Sequence, residues 1–146
     1  MSDARPNLVV VMADQLAASF LPAYGHPVVR APHLDALAHA GTVFESAYCA
    51  SPLCAPSRFA MLAGRRASAI DAFDNAAELP AATPTIAHLL RASGYHTVLS
   101  GKMHFVGPDQ LHGFEERLTT DVYPAGFDWT PDWRLPPESR SSPVAH

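Results

Sequence analysis

The chain has 146 residues, enough for one ordinary domain with a buried core. Hydrophobic residues make up 48% of it, which argues against wholesale disorder, and a formal net charge of −4 offers no basic surface for nucleic acid. Two cysteines, Cys49 and Cys54, are too few for a disulfide scaffold or for a zinc site of their own. A disulfide between them is geometrically possible.

The N-terminus predicts neither secretion nor membrane insertion. It lacks the basic-then-apolar order and the cleavage site of a signal peptide. The apolar run over residues 8–13 is far too short to span a bilayer. We therefore expect a cytoplasmic protein without a membrane partner.

The first predicted element is a strand over residues 7–13. Its continuous β-branched run is typical of a strand buried on both faces of a parallel sheet. Asp14 and Gln15 follow at its carboxyl end, where open α/β sheets place their ligands. From the residues alone, Asp14 is either a ligand or a cap of the next turn, and Gln15 offers only a neutral, weaker oxygen ligand.

A helix is predicted over residues 31–41, because a proline stands near its start, a glycine stands at its end and leucines recur on one face. His33 and His39 of this helix are expected on the solvent side. Alternating apolar residues then predict a strand over residues 42–48.

Another helix is predicted over residues 83–94, with Thr83 as its N-cap and Pro84 at its first position. A short strand follows over residues 95–99. This succession of strands and helices predicts an α/β fold with a largely parallel sheet.

The stretch from Ser51 to Arg58 places Cys54 between two prolines. It predicts a rigid loop that runs into a short helix ending before Gly64. A cysteine at a helix N-terminus lies at the positive end of the helix dipole, and Arg58 follows one turn later. Cys54 is then either a small buried residue or a reactive centre.

Lys102 and His104 form a second candidate pair. In an extended segment their side chains project from the same face. The lysine would lower the pKa of the imidazole by like-charge repulsion and favour the neutral base. The alternative is a solvated lysine beside a half-buried histidine.

The string Cys-x-Pro-Ser-Arg at residues 54–58 resembles the signature of the sulfatase family. Asp14, Lys102 and His104 stand in the order that this family shows. Residues 107–117, Tyr123-Pro124 and residues 128–132 look like the choline-sulfatase branch of the family. The resemblance implies an alkaline-phosphatase-like α/β/α sandwich with a mostly parallel sheet, of which this chain covers the N-terminal part.

The resemblance also implies a mechanism. Cys54 would be converted to formylglycine by a formylglycine-generating enzyme, and its hydrate would attack sulfur. Asp14 and the modified Cys54 would hold a divalent metal, calcium or manganese. Arg58 and Lys102 would hold the aldehyde hydrate, and His104 would take a proton from its remaining hydroxyl to release sulfate.

The implied substrate is a small-molecule sulfate ester, choline-O-sulfate, hydrolysed to choline and sulfate. Trp129 would bind the trimethylammonium group by cation–π attraction, or it simply covers apolar surface. Asn75 would bind an oxyanion of the substrate, or it is an ordinary loop residue.

Residues 1–135 are therefore expected to be the N-terminal part of a sulfatase catalytic domain, with a turn-rich tail at residues 136–146. In this family the remaining metal ligands and the acid for the leaving group come later in the chain. We expect these residues alone not to turn over substrate, and the full-length enzyme to be a homo-oligomer.

Three alternatives stay open at this point. A phosphonate monoester or phosphodiester hydrolase of the same superfamily would share the Cys54 loop and the Asp14-Gln15 pair. A cysteine hydrolase would use Cys54 with His104, although the flanking prolines have no role in it. The third alternative is an inactive truncated domain that serves as an interaction module.

Overall fold

The computed structural model describes residues 5–119, 121 and 136. The chain forms two compact units, Met1–Ala47 and Tyr48–His146. The helices and strands are α1 (Pro32–Ala40), α2 (Cys54–Ala63), α3 (Ile86–Ala92), β1 (Val98–Leu99) and β2 (Glu116–Arg117), with short 3₁₀ turns at Ala18–Phe20, Pro22–Tyr24 and Ala67–Ile70. Across the described ranges, no helix has the length and apolar character that crossing a membrane requires.

Helix α1 has the bounds that its flanking residues predict. Pro32 occupies its first position and Gly41 follows its last residue. A proline costs little at a helix start because its missing N–H would have no intrahelical partner there. His33 and His39 are exposed, as predicted.

Two predicted strands are wrong. Residues 7–13 and 42–48 form no strand, and Val11 is 91% exposed. A β-branched run favours an extended backbone, but a strand forms only when a neighbouring segment completes its hydrogen-bonded ladder. Among the described residues no segment pairs with either run.

The sheet of the described residues is small and parallel. Strand β1 pairs with β2 in the register Val98 with Glu116 and Leu99 with Arg117. Strand β1 is shorter than the predicted strand over residues 95–99. Helices and a parallel pair agree with the predicted α/β class, while the larger α/β/α sandwich stays a prediction.

Helix α3 begins later than predicted. Its N-cap is Thr85 rather than Thr83, and a capping box links Thr85 to His88. The Thr85 hydroxyl also donates a hydrogen bond of 2.7 Å to the carbonyl oxygen of His112. Thr85 is buried, so this long-range contact fixes the helix start at a position that the local Thr-Pro signal cannot reveal.

The core lies in the second unit and surrounds α2. Phe59 is fully buried, and its ring stacks on that of Phe105 with centroids 6.1 Å apart. The buried cluster consists of Ala55, Phe59, Leu62, Ile70, Ala72, Leu79, Leu99, Met103 and Phe105. Because Phe105 follows the Lys102–His104 segment directly, the core ties that segment to α2.

A buried histidine adjoins this core. The His112 ring lies 4.3 Å from that of Phe105, and its Nδ1 is 3.3 Å from a carboxylate oxygen of Asp109. Its Nε2 has no hydrogen-bond partner among the described residues. Burial lowers the pKa of His112, and the Asp109 carboxylate opposes this shift.

Acidification is expected to destabilise the protein through His112. The unfolded histidine takes up a proton near its usual pKa of 6.5, whereas the buried ring resists protonation. Stability is therefore full above about pH 6.5 and falls below it, by at most about 1.4 kcal/mol per pH unit for each such histidine. Urea unfolding between pH 7.5 and 5 measures this slope.

The matched variants are His112→Gln and His96→Gln, since His96 is an exposed histidine of the same unit. His112→Gln should flatten the pH dependence of the free energy of unfolding more than His96→Gln does. Equal slopes in His112→Gln and wild type would contradict the prediction.

Candidate active site

Cys54 is the first residue of helix α2, as the sequence predicts. Its thiol is partly exposed, and both Cys49 and Cys54 are free. Pro56 lies in the first helical turn, and Gly64 ends the helix at φ +61°, a left-handed conformation that favours glycine. The Cys54 side chain therefore stands at the positive end of the helix dipole.

A side chain from a distant loop supports this helix start. The amide oxygen of Asn75 accepts a hydrogen bond of 3.0 Å from the backbone N–H of Ala55. The N-cap residue, Leu53, makes no side-chain cap of its own. Asn75 thus satisfies one of the N–H groups that a helix start leaves without an intrahelical partner.

Arg58 connects α2 to the Lys102 segment. The Arg58 side chain is buried, and its Nη1 donates a hydrogen bond of 2.7 Å to the carbonyl oxygen of Lys102. A charge-assisted bond of this length is stronger than a neutral one. Two of the predicted catalytic residues are therefore held together by a direct contact.

The prediction of an extended backbone at Lys102 and His104 is wrong. His104 has φ +65°, in the left-handed region that few residues other than glycine adopt. This left-handed residue interrupts the two-residue repeat of an extended segment, so the shared face argued from strand geometry does not hold.

His104 is oriented by a hydrogen bond. Its side chain is 1% exposed, and its Nε2 lies 3.1 Å from the carbonyl oxygen of Asn75. A carbonyl oxygen can only accept, so Nε2 carries the hydrogen and Nδ1 of the neutral ring is the basic nitrogen. Asn75 therefore contacts both the start of α2 and the imidazole.

The pKa of His104 is lowered from its usual value. Burial is the largest cause and the Lys102 ammonium is the next, whereas the Asn75 carbonyl and the Asp121 carboxylate raise it. The predicted influence of Lys102 is confirmed in direction, but burial matters more. His104 is consequently neutral at pH 7 and can accept a proton.

Three further predicted site residues come from other parts of the sequence. Asp14 and Gln15 belong to the first unit and are exposed, while Trp129 lies outside the described residues. The two predicted metal ligands differ in kind: the Asp14 carboxylate suits calcium or manganese, and the Cys54 thiol is too soft for either. The described part of the chain contains no group of three or more His, Cys, Asp or Glu side chains that could hold a metal ion, so it does not by itself form a complete metal centre.

Two residues near His104 were not predicted as site residues from the sequence. Asp121 accepts backbone hydrogen bonds from Met103, His104 and Phe105, and Arg117 pairs with Asp121 at 2.7 Å. Neither belongs to a recognisable motif. A pair of opposite charges four residues apart was the only signal, and it is also common on solvated surfaces.

The chain matches a known protein family over nearly its whole length. The family model "Sulfatase" matches residues 6–143. Choline-sulfatase of Rhizobium meliloti is 54% identical over 138 residues, which cover 94% of this chain and 27% of that protein. Bovine arylsulfatase A is 38% identical over 125 residues, covering 77% of this chain and 25% of the relative.

Human steryl-sulfatase is 37% identical over 112 residues, which cover 69% of this chain and 19% of that protein. The chain thus spans about a quarter or less of the length of these relatives. The family match nevertheless extends over nearly all of the chain and includes the Cys54 loop and the Lys102–His104 segment. This chain belongs to the sulfatase family.

Proposed function

We propose that the full-length protein hydrolyses sulfuric esters, with choline-O-sulfate as its substrate and a nucleophile derived from Cys54. One observation carries the proposal: the start of α2 is joined to a buried, neutral His104 through Asn75. Asn75 thus supports both the helix start that carries the potential nucleophile and the imidazole that is the candidate base. These are the two kinds of group that base-assisted nucleophilic catalysis uses.

Each nearby group has a role in this proposal. The N-terminus of α2 favours the negative charge that develops on sulfate oxygens, and the guanidinium of Arg58 and the ammonium of Lys102 add to that stabilisation. His104, kept neutral by burial and by Lys102, accepts a proton at Nδ1. The hydrogen bond from Nε2 to Asn75 fixes which ring nitrogen is basic.

Formylglycine at position 54 would supply an aldehyde hydrate, whose two hydroxyls serve for attack on sulfur and for release of sulfate. The partly exposed, free thiol of Cys54 is compatible with modification by a formylglycine-generating enzyme. Asp14, together with the modified residue 54, would hold calcium or manganese through oxygen ligands.

The substrate class rests on similarity and on chemistry. The choline-sulfatase relative is the most similar of the proteins compared above. A trimethylammonium group has no N–H to donate, so aromatic faces such as that of Trp129 would recognise it. We further propose a cytoplasmic location and a homo-oligomeric full-length enzyme.

Substrate competition tests the proposal. Full-length protein, produced in its host, should hydrolyse choline-O-sulfate with kcat/KM at least about a hundredfold above that for a phosphonate monoester or phosphodiester. An aryl sulfate without a quaternary ammonium group is the matched control for recognition of choline. Preference for the phosphonate ester would assign the protein to the alternative hydrolase class, and no hydrolysis of any of these esters would contradict the proposed function.

A further inference from the structure

The backbone around His104 has a conformation that must be held in place. A residue with a β-carbon is disfavoured at φ +65° because its side chain crowds the neighbouring carbonyl oxygen. Such a conformation persists only where surrounding contacts enforce it. The contacts that enforce it identify the residues on which the orientation of His104 depends.

The carboxylate of Asp121 makes those contacts. It accepts hydrogen bonds from three consecutive backbone N–H groups, those of Met103 at 3.2 Å, His104 at 2.8 Å and Phe105 at 3.3 Å. Consecutive N–H groups that converge in this way form a concave anion site, here filled by a side chain of the same protein. The Asp121 side chain is 6% exposed, so little water competes for these bonds.

Arg117 holds Asp121 in turn. Its Nη2 lies 2.7 Å from Asp121 Oδ2, and the Arg117 side chain is 8% exposed. Its Nη1 donates to the side-chain oxygen of Gln110 at 2.7 Å, and its guanidinium lies 5.6 Å from the ring centre of Phe105. Because Arg117 belongs to β2 and pairs with Leu99 of β1, the sheet holds the backbone from which this side chain extends.

The position of the His104 backbone also affects the candidate active site. The backbone held by Asp121 presents the His104 ring to the carbonyl of Asn75, whose side chain contacts the residue next to Cys54. A shift of this backbone would move the imidazole relative to Asn75 without altering either side chain. Misplacement of about 1 Å can cost a hundredfold in rate.

We propose that Asp121, held by Arg117, is a positioning residue that sets the orientation of His104 for proton transfer in the sulfatase reaction. The proposal rests on the function proposed above and deepens it, since Asp121 acts through His104 and does not contact substrate. The competing explanation is a structural pair that only stabilises the fold.

The test uses the full-length enzyme with Asp121→Asn and, as the matched control, Asp109→Asn. Asp109 likewise accepts backbone hydrogen bonds, from Leu111 and His112, but it has no contact with His104 among the described residues. Asp121→Asn should lower kcat about 10- to 100-fold with little change in KM. Asp109→Asn should change kcat less than about threefold, because the hydrogen bonds of Asp109 go to Leu111 and His112 rather than to the backbone of His104.

A double-mutant cycle separates positioning from stability. In a His104→Ala background the Asp121→Asn substitution should lower kcat less than about threefold, because the group that it orients is gone. Equal losses in both backgrounds, or an unchanged kcat in Asp121→Asn alone, would overturn the proposal. If Asp121→Asn does not fold, Arg117→Lys takes its place in the cycle. The loss of kcat caused by Arg117→Lys should likewise vanish in the His104→Ala background. An additive loss of kcat, or no loss in Arg117→Lys alone, would overturn the proposal.

A readout independent of activity distinguishes failure of this proposal from failure of the proposed function. In NMR spectra the imidazole signals of His104 should move in Asp121→Asn, whereas Asp109→Asn should move those of His112. If the wild-type enzyme hydrolyses no sulfate ester, the proposed function fails, and the positioning role fails with it only when the His104 signals also stay in place.

Discussion

Replacing Cys54 by alanine is expected to abolish turnover of sulfate esters. The methyl group of alanine can be neither a nucleophile nor a precursor of formylglycine, so kcat should fall at least about a thousandfold, as it does when a covalent catalyst is removed. Alanine suits a helix N-terminal turn, and Ala55 is already its neighbour, so the fold should persist. Steady-state kinetics with choline-O-sulfate measures the effect.

Cys49→Ala is the matched control. Cys49 is the other free cysteine, it is exposed, and its thiol donates to the carbonyl oxygen of Ser51 at 3.1 Å. This variant should keep wild-type kcat. Retention of more than a tenth of wild-type kcat by Cys54→Ala would contradict the catalytic role of residue 54.

Peptide mass spectrometry adds a second measurement on residue 54. Conversion of its thiol to an aldehyde is an oxidation of cysteine. It lowers the mass of the tryptic peptide by about 18 Da. We expect this loss at residue 54 and not at Cys49. An intact thiol in an active enzyme would favour the cysteine hydrolase, in which Cys54 acts directly with His104.

Replacing Phe59 by alanine is expected to have the largest effect on stability. Phe59 is 0% exposed, stacks on Phe105 and packs in the cluster that surrounds α2. Loss of a buried phenylalanine side chain, together with the cavity that it leaves, costs about 3–5 kcal/mol. That amount is a large part of the stability of an ordinary domain.

Met61→Ala is the control from the same helix. Met61 is 46% exposed, so its truncation removes little buried surface, and alanine has the higher helix propensity. Urea unfolding should show a change below about 1 kcal/mol for Met61→Ala. A loss for Phe59→Ala no greater than that for Met61→Ala would contradict the assignment of the core.

The same two variants test whether the core supports the candidate active site. Because Phe59 stacks on Phe105, whose N–H contacts Asp121, loosening the core should disturb the left-handed backbone at His104. Phe59→Ala is therefore expected to lose activity at a lower urea concentration than Met61→Ala does.

Local patterns determined helix α1 and the end of α2. Helix α1 begins at Pro32 and α2 ends before Gly64, as the sequence predicts, because helical hydrogen bonds join residues four apart and their signals lie within the segment. The string from Cys54 to Arg58 likewise identified the family without any structure, since it is contiguous. The sequence also predicted the direction in which Lys102 moves the pKa of His104.

Long-range contacts determined the strand pairing and the arrangement of the candidate site. Residues 7–13 have strand composition but lack a partner among the described residues, and a strand needs a partner that composition cannot name. The left-handed backbone of His104 depends on Asp121, 17 residues later, and Arg58 reaches Lys102, 44 residues later. Only folding brings such groups together, so the sequence by itself named the candidate site residues and the tertiary structure determined how they are held.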